Sequence, residues 1–105
     1  MTATCIYNTL VQYEWNSAKN QANIDERGIE FERVYGLDWG TVIEAQDTRV
    51  ERDEVRMMAF GLIENRLYCL VYTMRSENCR VISLRKANRR EVRRYGQAHN
   101  YHTNA

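Results

Sequence analysis

The sequence predicts an α+β fold, with short helices first, a small antiparallel sheet next and a basic helix last. Three observations predict it. Apolar residues between positions 40 and 85 fall in short runs rich in β-branched and aromatic types. Helical spacing flanks those runs on both sides. The connections "EN" and "SENC" between the last three runs have hairpin length.

Each element has its own local reason. Residues 1–9 read as a loosely held arm. "LVQYEW" (10–15) alternates as a short strand, with Leu10, Gln12 and Glu14 on one side and Val11, Tyr13 and Trp15 on the other. Asn16 or Ser17 can cap a helix through "AKNQANIDER", in which Ala18, Ala22 and Asp25 share a stripe, and Gly28 supplies the left-handed stop. "EFERVYGL" gives a second short helix with Phe31, Val34 and Tyr35 at core spacing. The runs 40–47, 54–63, 66–75 and 80–85 make three or four antiparallel strands in a meander. From Lys86 the spacing turns helical, with Gly96 as the stop and a frayed polar tail beyond.

The 105 residues hold no proline, no repeat and no linker-like stretch, so one domain is expected over 1–105 with its core at about 10–96. No apolar run reaches the roughly 18–20 residues of a membrane span, and the first residues do not read as a signal peptide. Three cysteines, Cys5, Cys69 and Cys79, form no CxxC pair. That argues against a disulfide framework and a zinc site, and suits a reducing, cytoplasmic setting.

Charge is unevenly placed. From Arg80 to Tyr95 seven basic residues face one acid, leaving 8 basic and 13 acidic residues elsewhere, so a local +6 and a local −5 underlie the net +1. Such a block points to an acidic partner: nucleic acid, an acidic protein, or the chain's own acidic half. On a helical wheel over 84–95, Arg85, Lys86, Arg89, Arg90, Arg93 and Arg94 gather on one half, opposite Leu84, Ala87, Val92 and Tyr95. Glu91 falls among the apolar residues and needs a partner there, for which Arg56, Arg75 and Arg80 are candidates. A solvated face with a structural ion pair would explain the pattern. Phosphate binding explains it better, because arginine outnumbers lysine six to one and its planar fork matches phosphate oxygens.

Three stretches carry a family resemblance: "YEWNSAKNQANIDERGIEFE", "EVRMMAFGLIENRLYCLVYTMR" and "RVISLRKANRREVRRY". Together, across about residues 13–95, they resemble the BrnT family of bacterial type II toxins. The resemblance implies a RelE-like ribonuclease fold and RNA cleavage that arrests growth. It also implies neutralisation by a cognate ribbon-helix-helix antitoxin of the BrnA type, with operator DNA bound only through the toxin–antitoxin complex. Two positions depart from the family pattern: Arg27 stands where the family has His, and Leu84 replaces a small residue.

Metal-independent RNA cleavage needs a base near the 2′-oxygen, cations around the phosphorane and an acid at the 5′-oxygen. No cofactor is expected, and no membrane partner. Arg75, Arg80 and Arg85 are assigned to the scissile phosphate, and Lys86 or Glu91 to proton transfer. Tyr72 or Tyr95 would stack a base or donate a proton, and Arg89 would join the RNA-binding face. Arg80, Arg85, Lys86 and Glu91 are thus the catalytic candidates, and Tyr72, Arg75, Arg89 and Tyr95 the RNA-binding ones. The competing reading makes Tyr72 a strand aromatic and Glu91 an ion pair. Glu54 and Arg56 can simply pair on one strand face. Lys19 and Asn23 share a helix face and stay outside the assignment, and His99 and His102 read as incidental. Two other functions fit the same residues: a non-catalytic module binding RNA or an acidic protein, and a degenerate toxin that retains only antitoxin binding.

Overall fold

The computed structural model describes residues 12–48 and 54–104, with side chains as far as Ala98. The expected N-terminal arm and the start of the first strand, Leu10 and Val11, lie outside the described residues, as do the side chains of His99 and His102.

Five strands form one sheet in the order β1-β5-β4-β3-β2. They are β1 (Tyr13–Trp15), β2 (Leu37–Gln46), β3 (Met57–Ile63), β4 (Arg66–Arg75) and β5 (Asn78–Lys86). The last four form the antiparallel meander that the hairpin signals predict. β1 departs from it, pairing parallel to β5 at the edge. Glu64 and Asn65, both at positive φ (49° and 67°), make the two-residue turn between β3 and β4. This is the backbone twist that tight hairpins favour.

Helix α1 (Ser17–Arg27) starts where Asn16 accepts a hydrogen bond from the Lys19 amide at 3.0 Å. It ends at Gly28, whose φ of 71° is left-handed and whose N–H donates to the Ile24 carbonyl at 2.7 Å. Its inner face differs from the expected stripe. Ala18, Ala22 and Asp25 are exposed, and Asn20, Asn23 and Ile24 turn inward. The reason is hydrogen bonding. Asn23 is 5% exposed and donates to the carbonyls of Ile29 (2.9 Å) and Leu84 (2.8 Å), while Asn20 accepts from the Phe31 amide at 2.8 Å.

The segment Phe31–Gly36 is a 3-10 helix. With three residues per turn, Phe31 and Val34 stack on one side, and both are fully buried. Tyr35 is thereby turned out to 61% exposure, against the expectation that it joins the core.

Pairing across the strands defines two faces. On the inner face Tyr13, Trp15, Ala59, Ile63, Tyr68, Leu70, Tyr72, Cys79, Val81 and Leu84 meet Ile29, Phe31 and Val34 in the main core. Leu84, the departure from the family's small residue, is completely buried there. β5 carries one extra residue: Val71 faces Ser83 and Tyr72 faces Val81, leaving Ile82 as a bulge. The outer face holds Glu14 and Arg80 opposite each other, Thr73 opposite Arg80, Cys69 opposite Arg85, and Phe60 opposite Cys69.

The last helix, α2, runs Arg89–Asn104, starting later than expected and continuing through Gly96. Gly96 is therefore no stop. Arg85 and Lys86, which the wheel places on that helix, belong to β5. Helix α2 lies on the outer face, where the Tyr95 hydroxyl donates to the Thr41 carbonyl at 2.5 Å. Among the described residues no helix is long and apolar enough to cross a membrane.

Candidate functional site

The bulge at Ile82 gives the outer face its character. Strand alternation alone would send Arg80 and Arg85 to opposite faces, because they are an odd number of residues apart. The extra residue restores them to the same one, opposite Thr73 and Cys69 of β4. Those two partners are four residues apart, so the arginine backbones are separated by roughly 13 Å at about 3.3 Å per residue. The buried side chains of Cys69, Val71 and Thr73 form the floor between them.

Each arginine of this face is held by a carboxylate. Arg80 donates to Glu14 at 2.9 Å, and Asn78 donates to the other oxygen of Glu14 at 3.0 Å. These two hydrogen bonds hold the Glu14 carboxyl below the usual carboxylate range, the one from Asn78 first. Arg85 donates two parallel bonds to Glu91, at 2.8 and 2.9 Å. Glu91 also accepts from the Asn88 amide at 2.9 Å, and Asn88 accepts from the Glu91 amide at 2.8 Å. That reciprocal pair is a capping box at the start of α2. The Arg85 hydrogen bonds bring the Glu91 carboxyl down to about 2. Further along, Glu54 receives Arg56 at 3.2 Å and approaches Arg75 at 3.8 Å. Glu54 and Arg56 thus form the expected pair, and the partner of Glu91 is Arg85, not Arg56, Arg75 or Arg80.

The arginines of α2 are different. Arg89, Arg90, Arg93 and Arg94 are exposed, and none makes an ion pair with another described residue. The sheet face therefore carries neutralised arginines, and the helix beside it carries exposed ones with no ion pair among the described residues. Electrostatic attraction for a polyanion comes mainly from the helix, and oriented guanidinium groups come from the sheet.

The structure brings together Arg80, Arg85 and Glu91 on the outer face, with Arg75 at its far end and Arg89 at the start of α2. It does not bring Lys86 or Tyr72 there. Lys86 pairs with Tyr68, on the opposite register from Arg85, and is exposed at the end of β5. Tyr72 is 3% exposed on the inner face, where its hydroxyl donates to Glu44 and its ring meets Trp39 edge-on. Burial, then Glu44, push its phenol far above the ordinary value. Its ring is covered and has no face open for a base. Tyr95 is partly exposed, and burial raises its phenol as well. Asn23 and Lys19 lie with α1 on the inner side, as does Arg27, whose guanidinium reaches Asn23 at 3.4 Å.

Glu14, Asn78 and Asn88 are the residues that sequence reasoning misses. The Asn88–Glu91 spacing is a readable capping signature. Alternation does put Glu14 on the side away from Tyr13 and Trp15, but no local signal announces a parallel pairing with β5.

Residues 15–91 match the family model described as ribonuclease toxin, BrnT, of type II toxin–antitoxin system. No curated protein sequence matches the chain. The fold is similar to the 1.1 Å crystal structure of the Brucella abortus ribonuclease toxin BrnT, with a TM-score of 0.52 and 21% identity. That similarity covers 76% of this chain and 100% of the Brucella chain.

Proposed function

Because this chain belongs to the BrnT family of ribonuclease toxins of type II toxin–antitoxin systems, we propose that it is a RelE-like, metal-independent endoribonuclease that cuts RNA at the outer face of its sheet. The observation that carries the reading is the pair Arg80 and Arg85, set on one face by the bulge at Ile82.

Exposed arginines on α2, Arg89 among them, draw the RNA backbone in. Arg80 and Arg85 then exchange their carboxylate partners for phosphate oxygens. With backbones roughly 13 Å apart they hold different phosphates of one strand, not the same one. Arg85 takes the scissile phosphate and Arg80 a neighbour, and Arg75 extends the track. The 2′-oxygen attacks phosphorus, the bond to the 5′-oxygen breaks, and guanidinium hydrogen bonds stabilise the charge that builds on the phosphorane. Glu91 serves as the base through the same exchange. Held by Arg85 its carboxyl sits at about 2, too low to accept a proton at neutral pH. Once the phosphate takes the Arg85 fork, Glu91 regains basicity beside the 2′-hydroxyl. The departing 5′-oxygen takes its proton from solvent at the open face. A ribbon-helix-helix antitoxin neutralises the enzyme in the cytoplasm, and operator DNA is bound through that complex.

The test is incubation of antitoxin-free protein with a long single-stranded RNA in EDTA, beside Arg80→Ala and Arg85→Ala. Wild type is expected to cut, and each substitution to slow cutting by roughly 100-fold or more at unchanged circular dichroism. Intact RNA with wild type, with and without translating ribosomes, while binding persists, would replace this reading with a non-catalytic RNA-binding module.

A further inference from the structure

Between α2 and the β2 edge lies a groove of about 290 Å³, lined by Ile43, Ala45, Phe60, Ala98, Tyr95 and Arg94, with Glu44 and Glu91 at its sides. Its floor is apolar. A cavity of about 150 Å³ accommodates a benzene ring, so this one suits one or two large apolar side chains. Neither carboxylate is open to a ligand here: the Glu44 side chain turns to the inner face, where it accepts from the Tyr72 hydroxyl, and Glu91 is held by Arg85. The exposed charge on the rim is positive: Arg94, with exposed Arg90 one turn earlier on the same flank.

Beside the groove runs a sheet edge. β2 is the last strand of the order, and its residues 43–46 pair with β3 on one side only among the described residues. The Asp47 amide donates to the Arg56 carbonyl at 2.8 Å, toward β3. Antiparallel alternation from that bond turns the N–H and C=O groups of Glu44 and Gln46 outward. Three features therefore meet within four residues of edge: backbone groups open to pairing among the described residues, an apolar slot, and exposed arginines.

We propose that an extended segment of the antitoxin adds to β2 as a sixth strand, with an apolar side chain in the groove and acidic residues against Arg90 and Arg94. Strand addition explains the combination, since backbone pairing supplies affinity and a side pocket supplies choice of sequence. A nucleic acid would use the arginines but would leave the strand edge unpaired. The proposal rests on the family reading for the existence of an antitoxin, and it does not depend on RNA cleavage.

The experiment uses the full chain co-expressed with its cognate antitoxin. Amide exchange is followed by NMR at Glu44 and Gln46 in the free chain and the complex. Both amides are expected to exchange freely alone and to slow at least about tenfold in the complex. Two variants outside the proposed cleavage machinery accompany it. Gln46→Pro removes an outward donor without removing a bond to β3, and Ala45→Glu places a repelling carboxylate in the slot. Each should weaken antitoxin binding by roughly tenfold or more by calorimetry, with RNA binding unchanged in Gln46→Pro. A complex that forms with unaltered exchange at Glu44 and Gln46 overturns the groove proposal alone. Protection of those amides by RNA and not by antitoxin does the same. Failure to form any complex removes the toxin–antitoxin reading and this proposal with it. Because exchange is measured on the unmodified chain, misfolding of a variant does not alter the outcome.

Discussion

The link between Arg85 and Glu91 joins the last strand to the last helix, and its strength can be measured. The two side chains are 25% and 15% exposed, so solvent screening weakens the pair less than it would a surface bridge. The Glu91 carboxyl falls from 4.5 to about 2 in the folded chain, held there first by the Arg85 hydrogen bonds. That drop corresponds to roughly 3 kcal/mol favouring the folded state with Glu91 ionised. For a depressed carboxyl the stabilisation is complete above the unfolded value of 4.5 and disappears as pH falls toward 2. By pH 3 more than half of it, roughly 2 kcal/mol, is gone. Glu91→Gln keeps a neutral acceptor for Arg85 and for the Asn88 amide. It should therefore cost about 2–3 kcal/mol at pH 7 and less than about 1 kcal/mol at pH 3. Urea unfolding of both proteins, followed by the fluorescence of Trp15 and Trp39 at pH 7, 5 and 3, reads the difference directly. A gap between the two proteins that stays constant from pH 7 to pH 3 would refute the assignment, because it would mean the Glu91 charge does not stabilise the fold.

Two further substitutions test the packing. Asn23→Ala removes the donors to the Ile29 and Leu84 carbonyls inside the inner layer and should cost about 2–4 kcal/mol in urea unfolding. Gly61→Ala would bring a Cβ within 2.6 Å of Val42 and 3.0 Å of Leu37, so a loss of about 1–3 kcal/mol, seen as a lower Tm, is expected.

Much of the fold can be read in the sequence because its signals are local. Gly28 ends α1, Glu64–Asn65 makes the hairpin turn, and the apolar runs become strands. Sequence and structure part where distant partners decide. Ala18 and Ala22 make the better apolar stripe, yet Asn23 is buried because carbonyls of Ile29 and Leu84 await it. Tyr35 fits a 3.6-residue period, and the tighter 3-10 turn moves it outside. For the candidate site, the sequence shows that arginines cluster but not that they are matched with carboxylates. Glu14 and Arg80 are 66 positions apart and meet only through a parallel edge pairing. Arg85 and Lys86 look helical because a helical wheel gathers them with the α2 arginines. The strand separates the two onto opposite sides.

The single unpaired residue at Ile82 also governs how this protein can change. A strand has a parity: odd and even positions face different worlds, and deleting one residue exchanges them. Removing any one of the three positions 81–83 would cancel the bulge. The ladder would then run regularly with the same partners, Leu84 opposite Leu70 and Arg85 opposite Cys69, so the side chains beyond would keep their faces and Arg80 and Arg85 would stand four positions apart on one side. Length is therefore negotiable at this one place of the strand. Among descendants of this chain, a single-residue gap at positions 81–83 should be tolerated, because it leaves every flanking pair of the ladder in place.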